Sequence, residues 1–500
     1  MKKYLIIAGS LIVGAAVIWA ILWNAGRQEV VDRMDRELKA LAASGTHIEY
    51  QDRIIGGFPF GYSVTLKEVV AEIPAAQSTY FLPEIVTSAE LPDFDRLTTT
   101  LPKEFKLEFL PLENPDDPSG ALPEPVEVTF ETINAEVVVD GLPGTTRTVL
   151  STADSLLAVF SDAPANAHVA VEFQGLDSTA SMPLQIGGQP VTSTGTIDLL
   201  DFVVKNTAET GAAVTIEGQI DDIVMTGSSD LRTAEEVQAM IDGTLSGEVS
   251  GTLTSGRSVT HMASAGTPET AGGDLRITGG TSSSSFSLAD GSLVLNAAHR
   301  DSAWEMASQG DGPLKNAKLS ADLFEVIYHV PFAPSEEMKP FETKLAIIGL
   351  TLDADLWEAL DKEKTLDRAP AELLFDANGT MRLTKPQSEV RPGEAPPVAF
   401  GTLSINRADA AALGAYVKAS GDIEFIQPIN LPNGAVTVRA SGVIEAMTSL
   451  VEAGILTPDI LLIASLMAQN YLQVDPATNE MVGRIEMGAG GITINGLPLQ

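Results

Sequence analysis

The chain has 500 residues, 44% of them hydrophobic, which is long enough for one extensive core or several domains. Its formal charge of −36 repels phosphate backbones, so nucleic acid is excluded as a natural partner. It has no cysteine, which excludes disulfides, thiolate metal sites and cysteine nucleophiles.

Behind Lys2 and Lys3, Tyr4 to Trp23 is a run of twenty uncharged residues. As a helix rising about 1.5 Å per residue, it would cover about 30 Å, the thickness of a bilayer's hydrocarbon core. A cleaved secretory signal is the competing reading. Its apolar stretch is typically about 7–15 residues, and cleavage after Ala25 would leave bulky Trp23 close to the cut. Trp19 and Trp23 suit the far interface of a spanning helix. We therefore expect a cytoplasmic stub over 1–3 and a transmembrane anchor over 4–24. The positive-inside rule then places the N-terminus in the cytoplasm and the body in the periplasm, on a single-pass protein of the inner membrane.

Residues 25–45 are expected to form a stalk or capping helix. Val30, Val31, Met34, Leu38 and Leu41 recur at helical spacing, and Gly45 ends the pattern. From His47 the period changes to two. Ile48 and Tyr50 alternate with polar neighbours, as do Val64 and Leu66, around the Gly56-Gly57-Phe58-Pro59-Phe60-Gly61 bend. Residues 46–254 read as the N-terminal part of a β-rich body. Asp140-Gly141, Asp290-Gly291, Asn378-Gly379 and Asn433-Gly434 are expected as hairpin turns, because such pairs supply positive φ. Residues 255–310 are expected to hold a mobile loop, Ser255 to Gly273, followed by linking strands. Residues 311–500 form the C-terminal part of the body. Pro111 to Pro125 and Glu389 to Pro397 read as loops, with closely spaced prolines.

Short helices are expected at Thr233–Ile241, which opens on a capping-box pattern, and at Asp355–Leu360. A helical hairpin is expected over 444–471, with Gly454 ending its first arm and Pro458 starting its second. The second arm is apolar on most faces but too short to cross a bilayer. It is expected as a plug or lid buried in the fold, with lipid contact as the competing reading.

Motifs for chemistry are sparse. The five histidines, His47, His168, His261, His299 and His329, have no metal-ligand spacing. There is no nucleophile elbow, phosphate loop or dinucleotide fingerprint. Asp116-Asp117 and Asp221-Asp222 do not lie in a calcium-binding loop pattern. No cofactor and no catalytic residue is expected.

Two regions carry a family resemblance. One is Gly57-Phe58-Pro59-Phe60 with the following Ser63-Val64-Thr65-Leu66. The other is an ordered C-terminal series: Val330-Pro331-Phe332, Lys339-Pro340-Phe341, Asp355-Leu356-Trp357, Asp367-Arg368-Ala369-Pro370-Ala371, Asn378-Gly379-Thr380, the Leu450 to Met467 hairpin and Ile494-Asn495-Gly496. Together they resemble the bacterial family called domain of unknown function 2125, found in alphaproteobacteria. More loosely, the chain is similar to AsmA-like envelope proteins, which pair an inner-membrane anchor with a long β-rich periplasmic body. The resemblance implies an envelope protein and supplies no catalytic residues.

The expected fold is mainly β: an elongated, mostly antiparallel sheet body with a few short helices, behind one N-terminal transmembrane helix. The expected role is binding or transfer of lipid-like, apolar molecules in the envelope, with the inner membrane, lipids or envelope proteins as partners. Phe58, Phe60, Ile460, Ile463 and Met467 are the expected apolar-ligand contacts. A structural scaffold is the alternative reading, and a carbohydrate-acting hydrolase the third.

Overall fold

The structure is a computed structural model. It describes residues 26–498 except 29, 33, 37, 40–41, 43–44, 59–60, 75–76, 91–95, 111–124, 142–145, 161–166, 183–189, 208–212, 232–233, 266–271, 309–315, 362, 387–388, 391–396 and 428. The expected anchor, the bend residue Phe60 and most of both proline-rich loops lie outside the described residues. Among those described, no helix is long and apolar enough to cross a membrane. The fold is mainly β, and every strand pairing whose register is described is antiparallel. The chain divides into two compact units, residues 1–189 with 193–208 and residues 190–192 with 209–500. The division falls well before the expected 255–310 segment.

In the first unit, α1 (helical residues between 26 and 42) precedes β1 (His47–Glu49) and β2 (Asp52–Gly56). These pair with the two halves of β3 (Gly61–Ile73), and β3 pairs with β4 (Ser78–Glu90). The next rung is broken in two, β5 (Arg96–Thr100) and β6 (Glu104–Phe109), and so is the one after it, β7 (Val126–Ile133) and β8 (Glu136–Asp140). Long strands β9 (Arg147–Phe160), β10 (Ala167–Met182) and β11 (Val191–Thr207) follow. The core of this unit is Val64, Leu66, Val69, Leu82 and Phe105, with Phe130 stacked on Phe105 at 4.8 Å. Val30 and Met34 of α1 pack against it, as their helical spacing predicts. The Gly57 bend joins β2 to β3 with Gly57 at φ 98°, where a Cβ would meet the backbone of Tyr62.

The second unit repeats the broken-rung arrangement. β12 (Ala213–Ser229) pairs with β13 (Glu248–Ser255) and β14 (Ser258–Ser264). These pair with β16 (Ser282–Ala289) and β15 (Gly273–Gly279), and both of those with β17 (Ser292–Ser308). A meander continues through β18 (Asn316–Pro331), β19 (Lys339–Leu352), β20 (Ala371–Leu383), β21 (Val398–Ala412), β22 (Ala415–Ile426) and β23 (Leu431–Ser441). β23 then pairs with β25 (Met481–Gly488), which also takes β24 (Gln473–Val474) and β26 (Gly491–Ile494); β27 (Leu497–Pro498) closes the chain. The short helices are α2 (Ala234–Ile241), α3 (Ala354–Leu360), α4 (Val443–Glu452) and α5 (Pro458–Tyr471), all close to expectation.

One local device recurs in the long strands. Glu68, Asn134, Asp222 and Asp301 adopt positive φ between 48° and 54°, and Gly175 and Gly349 adopt 63° and 71°. A left-handed residue interrupts the period-two alternation of a strand. In β3 the buried positions run Tyr62, Val64, Leu66 and then Val69, so the alternation restarts after Glu68. In β17 it restarts after Asp301: Trp304 lies 5.3 Å edge-on from Phe324, the cross-strand partner of His299. Opposite several of these residues the sheet supplies space or a carboxylate. Asn134 donates to Asp154 at 2.6 Å, and a Cβ on Gly349 would collide with the Asp322 carboxyl group.

Four expectations need correction. Asn378-Gly379 and Asn433-Gly434 are not turns; they lie inside β20 and β23, and Asn378, Gly379 and Gly434 are paired on both sides. Glycine is needed there because Thr402 O and Asp422 O approach within about 2 Å of where a Cβ would stand. The β21–β22 turn is instead Leu413-Gly414, at φ 56° and 76°. The expected loop from Ser255 contains β14, whose Val259 and Met262 sit among small polar residues but whose backbone is paired with two neighbours. Finally, α5 is not a buried plug: none of its residues is buried; Leu461, Ala464, Ser465, Ala468 and Tyr471 form its half-buried side, and its other large apolar residues face outward.

Candidate functional site

The register places apolar residues opposite one another across the second unit. One row runs Phe286, Leu295, Tyr328, Thr343, Ala377, Ile405, Gly421, Val436, Ile485 and Ile494. Beside it runs Ala297, Val326, Leu345, Phe375, Ala408, Ala419 and Val438. A third row runs from His299 through Phe324, Ile347, Leu373, Ala410 and Val417 to Ala440 and Met481. No Asp, Glu, Lys or Arg stands in any of the three. The first row crosses ten strands, which at about 4.8 Å per strand is roughly 43 Å along the sheet.

The intervening residues are of the opposite character. Lys344 bonds Glu342 at 2.6 Å and lies 3.9 Å from Asp376; Ser404 donates to Asp422 at 2.6 Å; Arg407 pairs with Asp409 at 2.6 Å. The hydrogen bond and charge of Glu342 raise the pKa of Lys344, which keeps its ammonium charged. One face is thus ionic and wet, the other apolar. On the apolar face Ala377, Ile423, Val436 and Ala440 are buried, and Phe400 lies between Phe341 at 6.1 Å and Phe425 at 5.4 Å. Yet Leu253, Phe286, Tyr328, Leu373 and Val417 are 36–42% exposed. Large apolar side chains open to solvent at several points between β13 and β22 are uncommon on a surface that meets no partner.

A second feature is a pocket of about 540 Å³ that His261, Asp274, Arg276, Glu305 and Lys318 border together with apolar residues such as Val259 and Met306. Its charges satisfy one another: Lys318 bonds Glu305 at 2.6 Å, lowering that carboxyl's pKa, and His261 lies 3.5 Å from Asp274. Among the described residues no cluster of three His, Asp or Glu side chains could hold a metal ion.

Of the residues expected to contact ligand, Phe58 stands 53% exposed at the β2–β3 bend of the first unit, and Phe60 lies outside the described residues. Ile460, Ile463 and Met467 share the outer side of α5 in the second unit, each 46–59% exposed. Sequence reasoning did not identify the residues of the sheet face. Its trace was present in Phe286/Leu288 and Leu293/Leu295, which flank Asp290-Gly291, but the restarts after left-handed residues scatter the rest of the pattern.

A model of a family described as an uncharacterized protein conserved in bacteria, domain of unknown function 2125, matches residues 23–300. The match includes the Gly57 bend and ends before the C-terminal series of motifs. No curated protein and no solved structure matches the chain.

Proposed function

We infer a role from the premise that this chain belongs to the bacterial domain of unknown function 2125 family: it binds lipid-like, apolar molecules along the open sheet face of its second unit and carries or passes them at the cell envelope. The observation that carries this reading is the row from Phe286 to Ile494, apolar and uncharged across ten strands while the opposite face is ionic. Burial of an acyl chain on such a face yields about 0.8 kcal/mol per CH₂, so no reaction is required. Tyr4 to Trp23 supports a setting at the inner membrane, with the segment as an uncleaved anchor, the N-terminus cytoplasmic and the body in the periplasm.

The test is retention of lipid. Protein purified from membranes is extracted and the extract analysed by mass spectrometry, for the native chain and for Leu373→Asp with Val417→Asp. Both positions are about 40% exposed, so the carboxylates reach water in the free protein and are desolvated only against cargo. Retained lipid should fall at least about tenfold, the equivalent of 1.4 kcal/mol, with an unchanged unfolding midpoint. Native protein that yields no lipid above a mock purification overturns the reading. Recovery of a defined envelope protein in its place would favour the scaffold.

A further inference from the structure

A second apolar surface in the same unit is separate from the sheet face. On α5, Ile460, Leu462, Ile463, Leu466 and Met467 are 46–59% exposed. At 100° per residue they fall on one arc about 160° wide. Ile455, in the turn between α4 and α5, adds a further 46% exposed side chain. The helix is held from behind, since α4 packs against α5 and β22, and Asn495 Nδ2 donates to Tyr471 O at 2.8 Å. The arc is therefore presented on a fixed support.

We propose that α5 is a foot by which the second unit rests on a lipid bilayer, with this arc sunk among the headgroups and upper acyl chains. This rests on the reading above that the chain works at a membrane. Two observations select a bilayer over a protein partner. Ile460 to Val474 contains no charged residue, and only Asp459 in the first turn of the helix and Asn470 in its last bring polar groups to the arc, whereas protein interfaces have a polar, hydrogen-bonded rim. The chain also contains Tyr4 to Trp23, long enough to hold it beside a bilayer. The charge pattern further specifies the lipid. No Lys or Arg occurs between Arg439 and Arg484, while Glu445, Glu452, Asp459, Asp475 and Glu480 do. Adsorption must come from apolar burial alone, so the foot takes neutral or zwitterionic headgroups and does not depend on salt.

The absence of cysteine makes the test direct, because one introduced thiol can be labelled uniquely. Full-length chains carrying Leu462→Cys, Ile463→Cys, Glu363→Cys or Phe286→Cys are labelled with a fluorophore and reconstituted in phosphatidylcholine vesicles. Quenching by an acyl-chain-borne quencher is compared with quenching by aqueous iodide. The labels at positions 462 and 463 should be quenched by the lipid-borne group at least about threefold more than the Glu363→Cys control, unchanged between low and high salt, as apolar insertion requires. Quenching by iodide equal to that control overturns the foot. So does shielding from both quenchers, which would mean a second copy or another protein on the arc. The Phe286→Cys label reports the sheet face separately: lipid-borne quenching there without quenching at 462 leaves cargo binding standing and removes the foot, and the reverse removes only the cargo.

Discussion

Asp301 shows how single residues shape the sheet. At φ 54° it occupies the left-handed region, which costs an ordinary L-residue about 1–2 kcal/mol and which Asp, Asn and Gly tolerate best. Asn134, Gly175, Asp222 and Gly349 answer the same demand in other strands. Asp301→Val should lower stability by about 1–3 kcal/mol, because a β-branched side chain has no relaxed rotamer there, while Asp301→Gly should stay within about 0.5 kcal/mol of the native chain. Equilibrium unfolding in urea measures both; equal midpoints for the two variants would show that the backbone at 301 carries no strain. The same residues explain what was hard to read in advance. Val64-Leu66-Val69 does not fit a strict period of two, and only the αL conformation of Glu68 reconciles it. Leu413 at φ 56° forms a turn that no Gly/Asn/Asp rule would assign to a leucine, because Gly414 and the closing Ala412–Ala415 pair hold it there.

The helices were more legible than the strands, because their ends are written in caps. Asp353 accepts from Leu356 N at 2.8 Å and starts α3, and Pro458 starts α5. The C-terminal end of α3 was not legible, since it depends on a side chain that meets its partners only once the loop has folded. Asp361 there is fully buried. Its carboxylate accepts from Thr365 N at 2.9 Å, Thr365 Oγ1 at 3.1 Å and Leu366 N at 3.0 Å, with Arg368 at 3.6 Å. Burial pushes its pKa up, but these donors and the Arg368 charge outweigh it, and the net shift is downward. A depressed folded pKa means that the stabilisation is complete above the unfolded value, about 3.9, and is lost as pH falls through the lower folded one. Asp361→Asn should therefore melt below the native chain at neutral pH, with the gap closing once the pH drops under about 4. Thermal unfolding followed from pH 7 to pH 2 checks this, and a gap independent of pH would assign the loss to packing instead of charge.

On the scale of the whole molecule, the division of labour between faces rests on the register. In the second unit the period-two alternation was readable, but neither the length of β17 to β23, eleven to seventeen residues each, nor their order of pairing was, because cross-strand partners such as Phe375 and Ala408 are distant in sequence. The apolar face emerges only after ten strands are laid side by side, which is why the sequence pointed to α5 and the Phe58 bend before it pointed to the sheet. The net charge of −36 then sets the electrostatic context in which any apolar contact must form. Repulsion from an anionic surface reaches about 10 Å at 0.1 M salt and about 30 Å at 0.01 M. Association through apolar side chains alone works against that field on an anionic bilayer and not on a zwitterionic one. Transfer of a fluorescent, neutral lipid from the protein to acceptor vesicles should thus proceed at the same rate at both salt concentrations when the acceptors are phosphatidylcholine. With acceptors rich in an anionic lipid it should slow at the lower salt, because the unscreened field holds the acidic body away. A rate that rises at low salt with anionic acceptors would mean that a basic patch, and not the apolar arc of α5, makes the approach.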